Sequence, residues 1–166
     1  YKLTTITFED VIDSSNITPD IWIHLAELIE KNYHDYDGFV ILHGTDTMAY
    51  TASALSFLFE NLSKPIVITG SQLPIGTIRT DGKENFISAV EIAAARKNDQ
   101  PLVPEVSVFF ENQLHRGNRC TKHNAEYFDA FRSHNYPDLA RAGIHITYNY
   151  SAIHYPVIQR DLTVYK

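Results

Sequence analysis

The run His43-Gly44-Thr45-Asp46-Thr47 sets two hydroxyls and a carboxylate side by side, where the apolar stretch Phe39 to Leu42 gives way to a helix-like one. Side-chain oxygens there can do two things. An Asp or Thr ahead of a helix accepts hydrogen bonds from free backbone N–H groups, which contributes about 1 kcal/mol. The same corner also suits chemistry. Gly44 lets the backbone come close to a ligand, and a helix start favours an anion or a developing oxyanion. Asp46 would then suit a ligand ammonium. One cap does not need three candidates, and the two readings are compatible.

Lys122 closes the polar run Arg116-Gly-Asn-Arg-Cys-Thr-Lys122. A loop lysine is ordinarily solvated. Beside a threonine hydroxyl in a closed pocket, its pKa would fall and it could help deprotonate that hydroxyl. Spacing alone does not bring Lys122 to Thr45. Further hydroxyls come from Asp13-Ser14-Ser15-Asn16 and Thr69-Gly70-Ser71-Gln72, where turn formation is the ordinary role. His43 reads as packed or hydrogen-bonded beneath its loop. Arg79-Thr80-Asp81-Gly82 reads as a helix cap bracing a loop through an ion pair, and Cys120 as structural. The eight histidines show neither HExxH nor paired spacing, so no metal and no other cofactor is expected.

These residues need a frame that brings their loops together. Residues 4–12, TTITFEDVI, are β-branched and suggest a strand. Thr18-Pro19-Asp20 is helix-start chemistry, and Trp22, Leu25, Leu28 and Ile29 recur at helical spacing to about Asn32. The short run FVIL predicts a buried strand, Met48 to Leu62 a helix, Pro65 to Thr69 a strand, Asp81 to about Lys97 a helix and Val106 to Phe110 a strand. A short helix or turn is expected near Asn124 to Phe128, a strand over Ile144 to Tyr150, and a strand-like stretch in DLTVYK. Strands alternating with helices imply βαβ units, hence a parallel α/β sheet covered by helices on both faces, with ligands outside the carboxyl ends of the strands.

The chain has 166 residues, enough for one domain with its own core, and a net charge of −6. That charge argues against a nucleic-acid or anionic-membrane partner. No apolar run of transmembrane length occurs. One cysteine excludes an internal disulfide, and a cytoplasmic protein is the simplest expectation. The first residue is Tyr1, so these residues are expected to be a piece of a longer protein.

The stretch DGFVILHGTDTMAYTASALSFLFENLSKPIVITGSQLP, followed by RTDG and RGNRCTKHNAEYFDAF, resembles the bacterial-type L-asparaginase family, most closely its cytoplasmic type I branch. The likeness runs from about Asp13 to Pro156, and HGTDTM is its most specific signature. It implies a flavodoxin-like α/β N-terminal domain followed by a smaller C-terminal domain, and a homo-dimer or tetramer. The implied activity is a threonine amidohydrolase that converts L-asparagine to L-aspartate and ammonia. Thr45 would be the second catalytic threonine, with Lys122 and Asp46 as its partners. Asp46 would also hold the substrate's α-ammonium, and Ser14 its α-carboxylate. Ser15 would adjoin Ser14, Asp13 would lie beside them, and Ser71 would line the amide end. The family's nucleophile lies in a TGGTI-type segment, which this chain lacks, as it lacks the C-terminal domain. Alone it should therefore be inactive. The glutaminase-like subunit of a tRNA-dependent amidotransferase and a non-catalytic amino-acid-binding module are the alternatives.

Overall fold

The computed structural model describes residues 1–8, 11–156 and 160–166. Its first helix, α1 (Pro19–Asn32), follows Thr18 in extended conformation and has Pro19 in its first turn. Proline's missing N–H costs nothing there. Leu25, Ala26 and Ile29, three and four apart, form its buried stripe. Strand β1 (Phe39–Leu42), helix α2 (Met48–Leu58), strand β2 (Ile66–Thr69), helix α3 (Gly82–Ala94) and strand β3 (Val106–Phe110) follow. β1 runs parallel to β2 with Phe39 opposite Ile66, and β2 runs parallel to β3 with Ile66 opposite Val106.

Side chains alternate between the two faces of these strands. Ile66, Ile68, Val106 and Val108 pack with Leu25, Ile29, Ala52 and Leu55 of α1 and α2. Val67 and Phe109 point the other way, into Ala89, Ile92 and Ala93 of α3. Each such aliphatic side chain contributes about 1.5–3 kcal/mol on full burial. The expected layering, helices on both faces of a parallel core, therefore holds.

Beyond β3 the sheet turns antiparallel, through β4 (Gln113–Arg116), β5 (Ala140–Ala142) and β6 (Ile146–Tyr148). The strand order across the sheet is the chain order, β1 to β6, and no described strand pairs with the outer edge of β1. β4 was not expected: Glu111 and Asn112 make a tight turn with φ of 42° and 65°, and this pair lacks the usual Asn-Gly signal of such turns.

Other expectations need correction. Thr4–Phe8 form no strand, and Glu9 and Asp10 lie outside the described residues. The helix expected to reach Lys97 stops at Ala94. Arg96–Lys97 instead pair with Gln100–Pro101 around Asn98 and Asp99, at φ of 51° and 62°. Asn124 to Phe128 is irregular. Of DLTVYK only Thr163–Val164 is strand, paired with Phe59–Glu60.

Candidate active site

The carboxyl end of β1 is tied to that of β2: His43 N–H donates to the Thr69 carbonyl at 2.8 Å. Gly70 makes the approach possible, since a Cβ there would stand 2.1 Å from the His43 carbonyl oxygen. Gly44 is needed for a second approach. A Cβ at that position would meet Ser14 Oγ at 2.5 Å, so the Asp13-Ser14-Ser15 loop lies directly against the corner. Thr47 stands at the N-cap position of α2, yet its hydroxyl makes no cap bond there. It donates instead to the Ser14 carbonyl at 2.6 Å, stitching the two loops together. Ser14 is buried, whereas Asp13 and Ser15 are exposed. Ser15 donates its backbone N–H and its hydroxyl to Asp13 Oδ1, each at 2.9 Å, which lowers the Asp13 carboxyl below its ordinary value.

His43 lies beneath this corner. A carbonyl only accepts, so Nδ1, 2.6 Å from the Gly44 oxygen, carries the proton. Nε2 then accepts from Thr51 Oγ1 at 2.8 Å, and Thr51 accepts from the Trp22 indole at 2.9 Å. Burial lowers the His43 pKa, which favours this neutral ring. The histidine is a strut, as its sequence context suggested.

Lys122 arrives from the opposite end of the sheet. β4 runs antiparallel to β3, so Arg116 ends beside Ser107, at the amino end of β3. The chain then passes α2 closely at Gly117, where a Cβ would sit 3.0 Å from the Ala52 carbonyl oxygen. It reaches the carboxyl edge at Thr121–Lys122, which pair with Phe131–Arg132. There the Lys122 ammonium donates to Thr45 Oγ1 at 2.9 Å and to Asp46 Oδ1 at 2.8 Å. Lys122 is largely buried, whereas 61% of the Asp46 side chain is exposed. The structure thus joins Thr45, Asp46 and Lys122, and seats Ser14 against Gly44. Ser71 lies one loop away, facing Gly82, where a Cβ would be 3.2 Å from its own.

Two residues here lacked an assigned part in the site. Gln72 accepts a hydrogen bond from Thr45 Oγ1 at 3.1 Å. Asp81 holds the Gln72 loop by accepting from the backbone N–H groups of Gln72 and Leu73, at 3.0 to 3.2 Å, not through an ion pair with Arg79. The sequence showed both types in loops, but a carboxamide or carboxylate takes its meaning from what it meets. Arg116, part of the nominated loop, is remote from the corner: it forks onto Glu105 at 2.6 and 2.9 Å. Burial pushes the Cys120 thiol up to about 12, which favours the protonated form over the nucleophilic thiolate.

Among the described residues no group of three or more His, Cys, Asp or Glu could hold a metal ion, and no helix is long and apolar enough to cross a membrane. Cavities of about 330 Å³, lined by Glu111, Asp129 and Arg141 among others, and about 560 Å³, beside Arg116 and Asn118, lie away from Thr45.

A threonine, an aspartate and a lysine thus meet at the carboxyl edge of an α/β sheet, the edge where such sheets hold their ligands. Residues 2–154 match the Asparaginase, N-terminal family, and the chain belongs to it. It is 56% identical over 139 residues to L-asparaginase 1 of Escherichia coli K12, covering 84% of this chain and 40% of that protein. It is 48% identical over 146 residues to the 60 kDa lysophospholipase of Mus musculus, covering 88% of this chain and 25% of that one. The crystal structure of L-asparaginase I from Vibrio cholerae superposes with a TM-score of 0.83 at 47% identity, covering 95% of this chain and 46% of that one. The chain therefore spans less than half the length of these relatives.

Proposed function

We propose that this chain is the central part of an asparaginase N-terminal domain, and that the longer protein hydrolyses L-asparagine to L-aspartate and ammonia. The observation that carries the reading is the position of Lys122 Nζ, within hydrogen-bond distance of both Thr45 Oγ1 and Asp46 Oδ1. In this reading Asp46 takes the substrate's α-ammonium. Ser14, with Ser15 and Asp13 beside it, takes the α-carboxylate, and Ser71 lines the amide end.

A threonine hydroxyl from outside this chain attacks the side-chain amide carbon. Backbone N–H at the Thr45 corner stabilises the tetrahedral oxyanion, an effect worth about 3 kcal/mol. The C–N bond breaks and ammonia leaves with the nucleophile's proton. Water then attacks the acyl ester to release aspartate and restore the threonine, with Thr45 and Lys122 positioning the reacting groups. The outer edge of β1, with which no described strand pairs, offers a place where a strand carrying that threonine fits. A smaller C-terminal domain, a homo-dimer or tetramer, and a cytoplasmic location complete the reading, which rests on the family likeness for these.

Ammonia release from asparagine by the full-length protein tests it. Thr45→Val and Lys122→Met should each cut turnover by about two orders of magnitude or more, equivalent to about 2.7 kcal/mol in the barrier, while leaving the fold intact. Near-normal turnover in either variant would remove the assignment. Binding of asparagine without turnover would favour a sensor.

A further inference from the structure

Gln72 decides where the Thr45 proton points. Its Nε2 lies 3.0 Å from the Tyr127 carbonyl oxygen and 3.3 Å from that of Ala125. Carbonyls only accept, so the amide nitrogen must face them, and Oε1 is left facing Thr45. Oε1 also only accepts, so the Thr45 hydroxyl donates to it across 3.1 Å. The Lys122 ammonium, a donor only, enters one Thr45 lone pair at 2.9 Å. A hydroxyl oxygen has four directions: its bond to Cβ, its proton and two lone pairs. With the proton on Gln72 and one lone pair on Lys122, a single lone pair remains, and it can only accept.

We propose that Gln72 is a positioning residue for the reaction above: it holds Thr45 as a hydrogen-bond acceptor toward the attacking hydroxyl or water. The inference rests on the amidohydrolase reading. Without Gln72 the Thr45 hydroxyl can turn its own proton toward the incoming O–H, and two donors then confront each other. The Gln72 backbone is itself anchored, its N–H donating to both Asp81 carboxylate oxygens at 3.1 and 3.0 Å. The side chain also links Thr45 to the segment just after Lys122. One carboxamide thus fixes both the direction of the hydroxyl and the loop that follows the lysine.

The test is steady-state ammonia release from L-asparagine by the full-length protein, comparing the parent with Gln72→Met, Gln72→Glu and Lys122→Met. Gln72→Met keeps the length but removes acceptor and donors. Its kcat should fall about tenfold or more with KM within about twofold of the parent, as for an interaction made in the transition state. Gln72→Glu keeps an acceptor for Thr45 and should recover most of that loss, whereas a role confined to tethering the Ala125 and Tyr127 carbonyls would leave it as impaired as Gln72→Met. Parent-like kcat in Gln72→Met, or no recovery in Gln72→Glu, would overturn the proposal. If Lys122→Met is inactive in the same assay, that failure belongs to Gln72 alone; if the parent itself releases no ammonia from asparagine, the amidohydrolase reading falls and this inference with it.

Discussion

At the scale of single residues, two histidines shielded from solvent yield a prediction. His115 in β4 is 1% exposed, its Nε2 meets no hydrogen-bond partner among the described residues, and burial lowers its pKa from 6.5 although Asp138 Oδ1 lies 3.1 Å from Nδ1. His43 is lowered from 6.5 for the same reason. A folded-state pKa below the unfolded value means that the unfolded chain binds more protons in the window between them. Stability is therefore full above pH 6.5 and falls as pH drops through that window. Each histidine contributes a slope of up to about 1.4 kcal/mol per pH unit. Urea unfolding of His115→Leu between pH 7.5 and 5 should show a shallower acid loss than the parent. Identical slopes would mean that His115 is not kept neutral by burial. The sequence offered Thr45, Asp46 and Lys122 as candidates by type alone; their meeting depends on the path of the chain around α2, which no spacing encodes.

At the scale of elements, parallel strands β1, β2 and β3 and the three helices were legible because each carries an uninterrupted apolar run or a helical stripe. The hairpin β3–β4 was not, because Glu111-Asn112 is an uncommon pair for a turn with both φ positive. Thr4–Phe8 failed in the opposite sense: its β-branched residues carry a local preference, but a strand needs a partner, and none of the described residues supplies one. Thr47 shows the same dependence, since it stands where a cap should be and spends its hydroxyl on the Ser14 loop. The junction of β1 with β2 should be the least tolerant part of the frame. In Gly70→Ala the new Cβ stands 2.1 Å from the backbone oxygen of His43, so the two strand ends must move apart. Overpacking of this sort costs about 1–3 kcal/mol. Thermal unfolding of the full-length variant should occur several degrees lower, and ammonia release should fall because the Thr45 corner moves. Gly76→Ala is the control: a Cβ there meets nothing within 4 Å, and its Tm should match the parent. Equal Tm values for the two variants would mean that the strand ends accommodate the methyl group.

At the scale of the whole molecule, the outer edge of β1 is what the proposed function leans on. Phe39 N–H donates to the Pro65 carbonyl at 2.9 Å and His43 N–H to that of Thr69 at 2.8 Å, so the odd-numbered amides face β2. Alternation along a strand turns the Val40 and Leu42 amides the other way. The strand is apolar throughout, yet Leu42 is 65% exposed and Phe39, Val40 and Ile41 are half-buried. A parallel strand is normally covered on both faces and at its edges. If a further strand brings the attacking threonine to this edge, Val40 and Leu42 must donate into it. Hydrogen exchange of the full-length protein should then find these two amides as protected as that of Ile41, slowed by about three orders of magnitude or more relative to loop amides, a free energy of about 4 kcal/mol or more for the opening that exposes them. Exchange at loop rates for Val40 and Leu42 alone would show the edge open. The threonine would then have to reach Thr45 and Lys122 by another route, from the solvent side where Asp46 is exposed.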